Sequence, residues 1–233
     1  MNKGYEENLD KNFTRALELC SIKFSHEELL CFLKSGNIPE KQFAALELDE
    51  VKTQEEAEIL ISNLTGVDGK IREVTAFKLQ EFVRKNPKLY LSFPKIFADA
   101  TIDINANICR MIINLLNNLK SDKRFAQEYT SYIITFMEDA LKELDSFNFR
   151  DKKYTINKQL FKIYWCLEGI NVFFSQLDEE KLTPVLIRCS KISEYTIREK
   201  VALVLNNNIQ STELKQLKNS LKNDENYYVK QLV

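Results

Sequence analysis

The stretch from Phe147 to Trp165 stands out because it interleaves basic and aromatic side chains. Bases neutralise phosphates and aromatic rings stack on nucleobases, so this composition fits a nucleic-acid surface. The same bases could meet an acidic partner protein. A third interpretation is a solvated amphipathic helix with an aromatic core, since Lys158 and Lys162 are four residues apart and share a helix face. The bases are Arg150, Lys152, Lys153, Lys158 and Lys162, and the aromatic residues are Phe147, Phe149, Tyr154, Phe161, Tyr164 and Trp165.

Signals for catalysis or metal binding are weak elsewhere in the chain. The one histidine, His26, falls in the first turn of an expected helix, where we expect it to face solvent. Cys-x-x-Cys and the glycine-rich phosphate-binding patterns are absent from the sequence, and the carboxylates form no persuasive pair. We therefore expect a protein that is not an enzyme and that has no catalytic residues, no cofactor and no metal site.

Composition predicts that helices position these side chains. Only 5 Gly and 4 Pro occur in 233 residues, too few for the turns of a sheet protein. Ser25 and Thr53 each precede a Glu by three residues, which predicts two capping boxes, and Asp224 is among the expected N-caps. The expected helices lie near 6–20, 25–35, 39–50, 54–64, 68–85, 94–101, 104–119, 123–144, 153–175, 179–191, 194–207, 212–222 and 225–232.

A four-residue pattern recurs along the chain and predicts how the helices are arranged. Each copy has a small residue, a large apolar residue, a variable residue and then Leu, and the first three copies start 29 and 31 residues apart. A period near 30 with helical apolar spacing is typical of a stacked array of helical hairpins. The copies begin at Ala16, Ala45, Ala76 and Ala202, and Cys109, Ile112 and Leu116 fit one intermediate position.

Two of these copies resemble the second helix of HEAT-type repeats, in particular the short bacterial variety. Their shared order is an acid, an aliphatic residue, an arginine, a small residue and Leu. The resemblance implies an all-α, right-handed α-solenoid of antiparallel hairpins, of the HEAT and armadillo type. It also implies that each arginine pairs with an acid in the adjacent turn or repeat. The residues are Asp68, Ile71, Arg72, Ala76 and Leu79 in one copy, and Glu194, Ile197, Arg198, Ala202 and Leu205 in the other.

By analogy with such arrays, we expect a scaffold whose concave surface binds another protein or a peptide. Lys78 and Arg84 would line that surface, together with Gln80, Glu81, Asn206 and Asn207, and the basic residues of 147–165 are further candidates for partner binding. The alternative is a nucleic-acid-binding relative of the alkylated-base DNA glycosylases, which the net charge of −1 disfavours. A third possibility, a lyase-like role such as bilin attachment, is suggested by the short repeats alone.

Domain organisation and location are also predicted from the sequence. Because no Gly-, Ser- or Pro-rich linker divides the chain, we expect one domain over 1–233, in which 121–177 is either an irregular longer hairpin or an insert. Charge is uneven: residues 1–65 carry 13 acids and 7 bases, whereas residues 66–233 carry 21 acids and 26 bases. No apolar stretch suits a membrane span or a secretory signal. The five dispersed cysteines are typical of thiols in a reducing cytoplasm.

Overall fold

A computed structural model describes residues 3–147 and 153–233, with side chains from residue 10 onward. Every regular element in these ranges is helical, with thirteen α-helices and three short 3₁₀ turns. The chain divides into two compact units, which are residues 1–96 with 105–118, and residues 97–104 with 119–233. The predicted all-α fold is therefore confirmed, while the expected single domain and the nature of 121–177 stay predictions.

The first unit is a two-layer stack of helical hairpins. In one layer α1 packs on α3, α3 on α5 and α5 on α7, whereas α2 and α4 pack on each other in the second layer. Short connections make consecutive helices antiparallel neighbours, as expected for such a stack. The helices are α1 (Lys3–Cys20), α2 (His26–Ser35), α3 (Ile38–Glu47), α4 (Gln54–Ile61), α5 (Gly69–Lys85) and α7 (Ala106–Leu116), and α6 (Pro94–Thr101) begins in this unit and ends in the second.

The second unit repeats this two-layer arrangement. α9 packs on α11 and α11 on α13, while α8 packs on α10 and α10 on α12 in the other layer. α8 and α9 form a hairpin of two long helices. The helices are α8 (Lys123–Ser146), α9 (Lys153–Phe173), α10 (Glu179–Cys189), α11 (Tyr195–Val204), α12 (Thr212–Leu221) and α13 (Tyr227–Lys230).

Helix capping follows the sequence at Ser25 but departs from it in part at Thr53. The Ser25 box is complete, since the Ser25 hydroxyl accepts from the Glu28 amide and the Glu28 carboxylate accepts from the Ser25 amide. The predicted capping box at Thr53 is wrong in its second bond. The Thr53 hydroxyl caps α4 as expected, but the Glu56 carboxylate accepts from the Lys52 amide and not from the Thr53 amide. The same Glu56 oxygen lies 3.2 Å from His26 Nε2, so the carboxylate bridges two partners.

His26 accordingly does not face open solvent as we expected. Its side chain is 21% exposed and lies against Glu56 at the start of the neighbouring helix α4. The sequence prediction placed the residue correctly in the first turn of α2. It missed the packing of α2 against α4, which brings the two first turns together.

The predicted role of the repeat arginine is confirmed at Arg198. Its guanidinium donates to both carboxylate oxygens of Asp224, at 2.7 and 3.0 Å, and both side chains are only 7% exposed. Arg198 Nη1 also donates to the carbonyls of Ile192 and Ser193. Asp224 is therefore not the N-cap that we expected, and Asn226 caps α13 instead.

Arg72 in the first unit makes the same carbonyl contacts as Arg198. Its Nη1 donates to the carbonyls of Gly66 and Val67, at 2.8 and 3.0 Å. These carbonyls precede Arg72 by six and five residues, the same offsets as at Arg198. The shared offsets show that the two helices are copies of one structural unit.

We predict that Asp224→Asn lowers the free energy of unfolding by about 3 kcal/mol, because it removes the charge that pairs with buried Arg198. The hydrogen bonds from Arg198 hold the pKa of Asp224 below its usual value. This stabilisation is present above the ordinary aspartate pKa and is lost as pH falls through the lowered pKa. Urea titrations at several pH values measure this loss of stability.

Glu225→Gln, at a side chain 86% exposed, is the matched control for Asp224→Asn. Equal effects of both variants would contradict the prediction.

We also predict that Gly169→Ala destabilises the protein, although Ala is normally the better helix former by about 1 kcal/mol. A methyl group at Gly169 would collide with the hydroxyl of Tyr129, which bonds Thr101 Oγ1 at 2.8 Å in the core. Gly66→Ala is the control, since nothing lies within 4 Å of a methyl group there. Thermal unfolding of both variants measures the difference, and a stabilising Gly169→Ala would show that the contact between α8 and α9 is not tight.

Candidate functional site

The predicted basic residues that fall within the described ranges are not gathered into one site. Lys153 and Lys158 are exposed on α9 and Lys162 is half-buried, whereas Arg150 and Lys152 lie outside the described residues. Lys158 and Lys162 share a helix face, as predicted from their spacing. Their role in partner binding stays a prediction.

The aromatic residues of α9 mostly contact one another. Trp165 is only 8% exposed, with its ring centroid 6.2 Å from that of Phe161 and 5.2 Å from that of Tyr164. The ammonium of Lys200 lies 4.7 Å from the Tyr164 ring centroid. Tyr154 is the exception, at 70% exposed. Rings that are engaged in this way are poor platforms for stacking bases, so the geometry favours the amphipathic-helix interpretation of this stretch.

Lys78 and Arg84, the two candidates on α5, differ in environment. Lys78 Nζ donates to the carbonyl of Leu46 at 2.9 Å and lies 5.3 Å from the Phe82 ring centroid. The positive charge of Lys78 thus stabilises the last turn of α3, where the helix dipole is negative. Arg84 is exposed near the end of α5.

Sequence reasoning missed an exposed apolar row in the first unit. The second residue of the recurring pattern is Leu17 on α1, Leu46 on α3 and Phe77 on α5, and these side chains are 59%, 49% and 59% exposed. The pattern contained the signal. At 100° per residue, a helix that turns its first and fourth residues inward turns its second outward. An outward position that is apolar in three successive copies is unusual for a solvated face.

A groove adjoins this row, and we define it by two neighbouring depressions on the layer α1–α3–α5–α7. Gln42 and Lys70 line both depressions, so the two adjoin each other, and we refer to them together as the groove. The depression at the α1 end is also lined by Asp10, Phe13 and Ile38, and that at the α7 end by Leu46, Val74, Phe77, Arg110 and Met111.

Charge is sparse and mixed along the groove. Asp10 lies at the α1 end and Arg110 at the α7 end, and both are exposed. Glu73 and Arg110 both approach the Asn107 amide: Asn107 Nδ2 donates to Glu73 at 3.5 Å, and Arg110 Nη1 donates to Asn107 Oδ1 at 3.3 Å. The groove therefore offers apolar contacts with charges of both signs at each end, Asp10 and Lys70 at the α1 end and Lys70, Glu73 and Arg110 at the α7 end.

Two other groups that could carry chemistry, Cys189 and Tyr90, lie buried in environments that disfavour reactivity. Burial raises the pKa of the Cys189 thiol to about 12, which keeps it protonated and a weak nucleophile. Burial likewise raises the pKa of Tyr90. In the part of the chain that the structure describes, no three His, Cys, Asp or Glu side chains come together as a metal site would need. Over the same residues, no helix combines the length and apolar character needed to cross a bilayer.

The stacked hairpins and the repeated arginine geometry define a helical repeat protein of the HEAT and armadillo type. Two solved structures are similar in fold. A designed armadillo repeat protein is 11% identical with a TM-score of 0.45, over 89% of this chain and 96% of that one. An engineered protein from the Northeast Structural Genomics Consortium is 12% identical with a TM-score of 0.46, over 90% and 94%. No family model matches the sequence, and no curated protein matches it.

We predict that Phe77→Ser changes the free energy of unfolding by less than about 0.5 kcal/mol, because the side chain is exposed. Leu79→Ser, two residues further on the same helix and fully buried, should cost about 3 kcal/mol or more. Chemical denaturation of both variants tests whether the apolar row is surface or core. A comparable loss in Phe77→Ser would mean that the row contributes to the fold.

Proposed function

We propose that this protein is a non-catalytic protein-binding module and that its partner docks in the groove. The observation that carries the proposal is the exposed apolar row Leu17, Leu46 and Phe77 on three neighbouring helices of one layer, of which Leu46 and Phe77 line the groove. Contiguous apolar surface on a folded protein marks interaction sites, since single exposed apolar residues are scattered. Stacked helical arrays supply such extended faces.

The chemistry of the groove supports a protein partner over a nucleic acid. A phosphate backbone binds where bases are in clear excess, because neutralising phosphates drives that association. Here Lys70 and Arg110 are offset by Asp10 and Glu73. A membrane is likewise not proposed as the target. We propose the cytoplasm as the site of action, on the basis of the dispersed cysteines.

Site-specific photo-cross-linking tests the proposal directly. Benzoylphenylalanine is placed at position 77 or 46 in cells that naturally make the protein, and at position 227 as the control, because Tyr227 is 62% exposed and lines neither depression. We expect ultraviolet light to give protein adducts of defined mass from positions 77 and 46 but not from position 227. Adducts that are absent from 77 and 46, or equally abundant from 227, would contradict docking in the groove.

A further inference from the structure

A separate depression lies where the connection between α1 and α2 meets the end of α3. It has a volume of about 380 Å³, and none of its described lining residues also lines the groove. Ile22 and Phe24 line it from the connection, and Phe43 and Glu47 line it from α3. This volume is near the lower end of the range for ligand pockets and suits a single amino-acid side chain.

Two aromatic rings form part of the wall of this depression. The ring centroids of Phe24 and Phe43 are 5.6 Å apart and the ring planes meet at 76°, so the two rings are nearly perpendicular. Phe32 packs against Phe24 at 5.1 Å and holds that ring in place. Aromatic rings attract cations over their faces. Among the described residues, the cation–ring contacts involve other rings, so neither Phe24 nor Phe43 is covered by a lysine or arginine of this chain.

Acids outnumber bases around the same depression. Glu47, Asp49 and Glu50 line it, whereas Lys23 is the one lysine or arginine among its described lining residues. Glu47 and Asp49 are exposed, and neither side chain forms an ion pair or hydrogen bond with another described residue. A hydrogen bond from Lys52 at 2.9 Å holds the pKa of Glu50 below its usual value, so that carboxylate stays ionised. The depression therefore attracts cations and repels phosphates.

His26 also lines the depression and leaves this balance unchanged. Its Nε2 lies 3.2 Å from Glu56, a largely buried carboxylate that does not line the depression. Because Glu56 would neutralise a protonated His26, the charges of Glu47 and Asp49 stay uncompensated.

The combination of rings and carboxylates favours a guanidinium over an ammonium. A guanidinium is planar, stacks on aromatic rings, donates a fork of hydrogen bonds to carboxylates and is more weakly hydrated than an ammonium. Arginine also carries an apolar stem that packs along apolar surface. Ile22, which is 53% exposed, offers such surface beside the rings.

We propose that this depression binds an arginine side chain of a partner protein. The guanidinium lies against Phe24 and Phe43 and is held by the carboxylates of Glu47 and Asp49. Lys23 is the base of this chain that competes for the same carboxylates. The inference goes beyond the proposed function, because the depression and the groove have different lining residues.

The probe is the pentapeptide Ala-Ala-Arg-Ala-Ala with both ends blocked, titrated into the full chain with its phenylalanine rings labelled with carbon-13. The control is the same peptide with citrulline in place of arginine, which keeps the shape and removes the charge. We expect the arginine peptide to shift the ring signals of Phe24 and Phe43 saturably, and the citrulline peptide to bind at least about tenfold more weakly. Equal binding of the two peptides, or no saturable shift, would overturn the inference.

Charge variants of the protein test which side chains hold the guanidinium. Asp49→Asn and Glu47→Gln should each weaken binding about fivefold, whereas Lys23→Met should strengthen it about twofold. Asp139→Asn is the matched control, since Asp139 is an exposed acid of the second unit that does not line the depression. Urea unfolding checks that each variant is folded. Binding that is unchanged in Asp49→Asn would contradict the proposed contact.

Free arginine distinguishes a protein partner from a small molecule. Its α-carboxylate would be repelled by Glu47 and Asp49, so we expect it to bind more weakly than the blocked peptide. Tighter binding of free arginine would overturn the assignment to a partner protein. Photo-cross-linking at positions 46 and 77 reports on the groove alone, so this inference and the proposed function fail separately.

Discussion

The inward pair of the repeat, a small residue and a Leu three positions later, is the constraint on which the structure depends. Ala45, Ala76, Cys109 and Ala202 are fully buried, and so are the Leu or Ile residues three positions after them. A small side chain lets neighbouring helices approach, and the following branched residue fills the seam between them. With both positions fixed inward, helical geometry turns the residues between them outward. The core positions and the exposed apolar row are therefore set by the same four-residue pattern.

The sequence predicted the helical class and most helix positions because these depend on local patterns, and the resemblance to HEAT-type repeats predicted that Arg198 pairs with an acid. The residues that set helical periodicity and capping lie within one or two turns of each other, so they can be identified from the sequence alone. The errors occur where a side chain has a choice of partners. Asp224 and Asn226 are both good N-caps; Asn226 caps α13, while the Asp224 carboxylate accepts from Arg198 of another helix and from the Asn226 amide. Glu56 is drawn from Thr53 by the Lys52 amide and His26. Only the packing of the helices decides such competitions.

The candidate site was predicted less well than the fold, for a related reason. Lys78 was predicted to bind a partner because it is charged and lies on the second helix of a repeat, yet its ammonium donates to the carbonyl of Leu46. Long charged side chains reach many partners, so charge alone says little about availability. The apolar row was readable in principle, since Leu17, Leu46 and Phe77 share one position in the pattern. Recognising it required asking which way that position faces, and not only which residues occupy it.

The second unit places polar contacts on its equivalent layer. Lys200 of α11 pairs with Glu168 of α9 at 2.6 Å, and Asn207, just beyond α11, donates to Asn171 of α9 at 2.8 Å. Leu203, at the position that matches Phe77, is half-buried. The same repeat can therefore engage its outward positions internally. Full burial of a large apolar side chain contributes about 1.5–3 kcal/mol of stability. A partner that covered the three exposed side chains of the first unit would therefore stabilise that unit further.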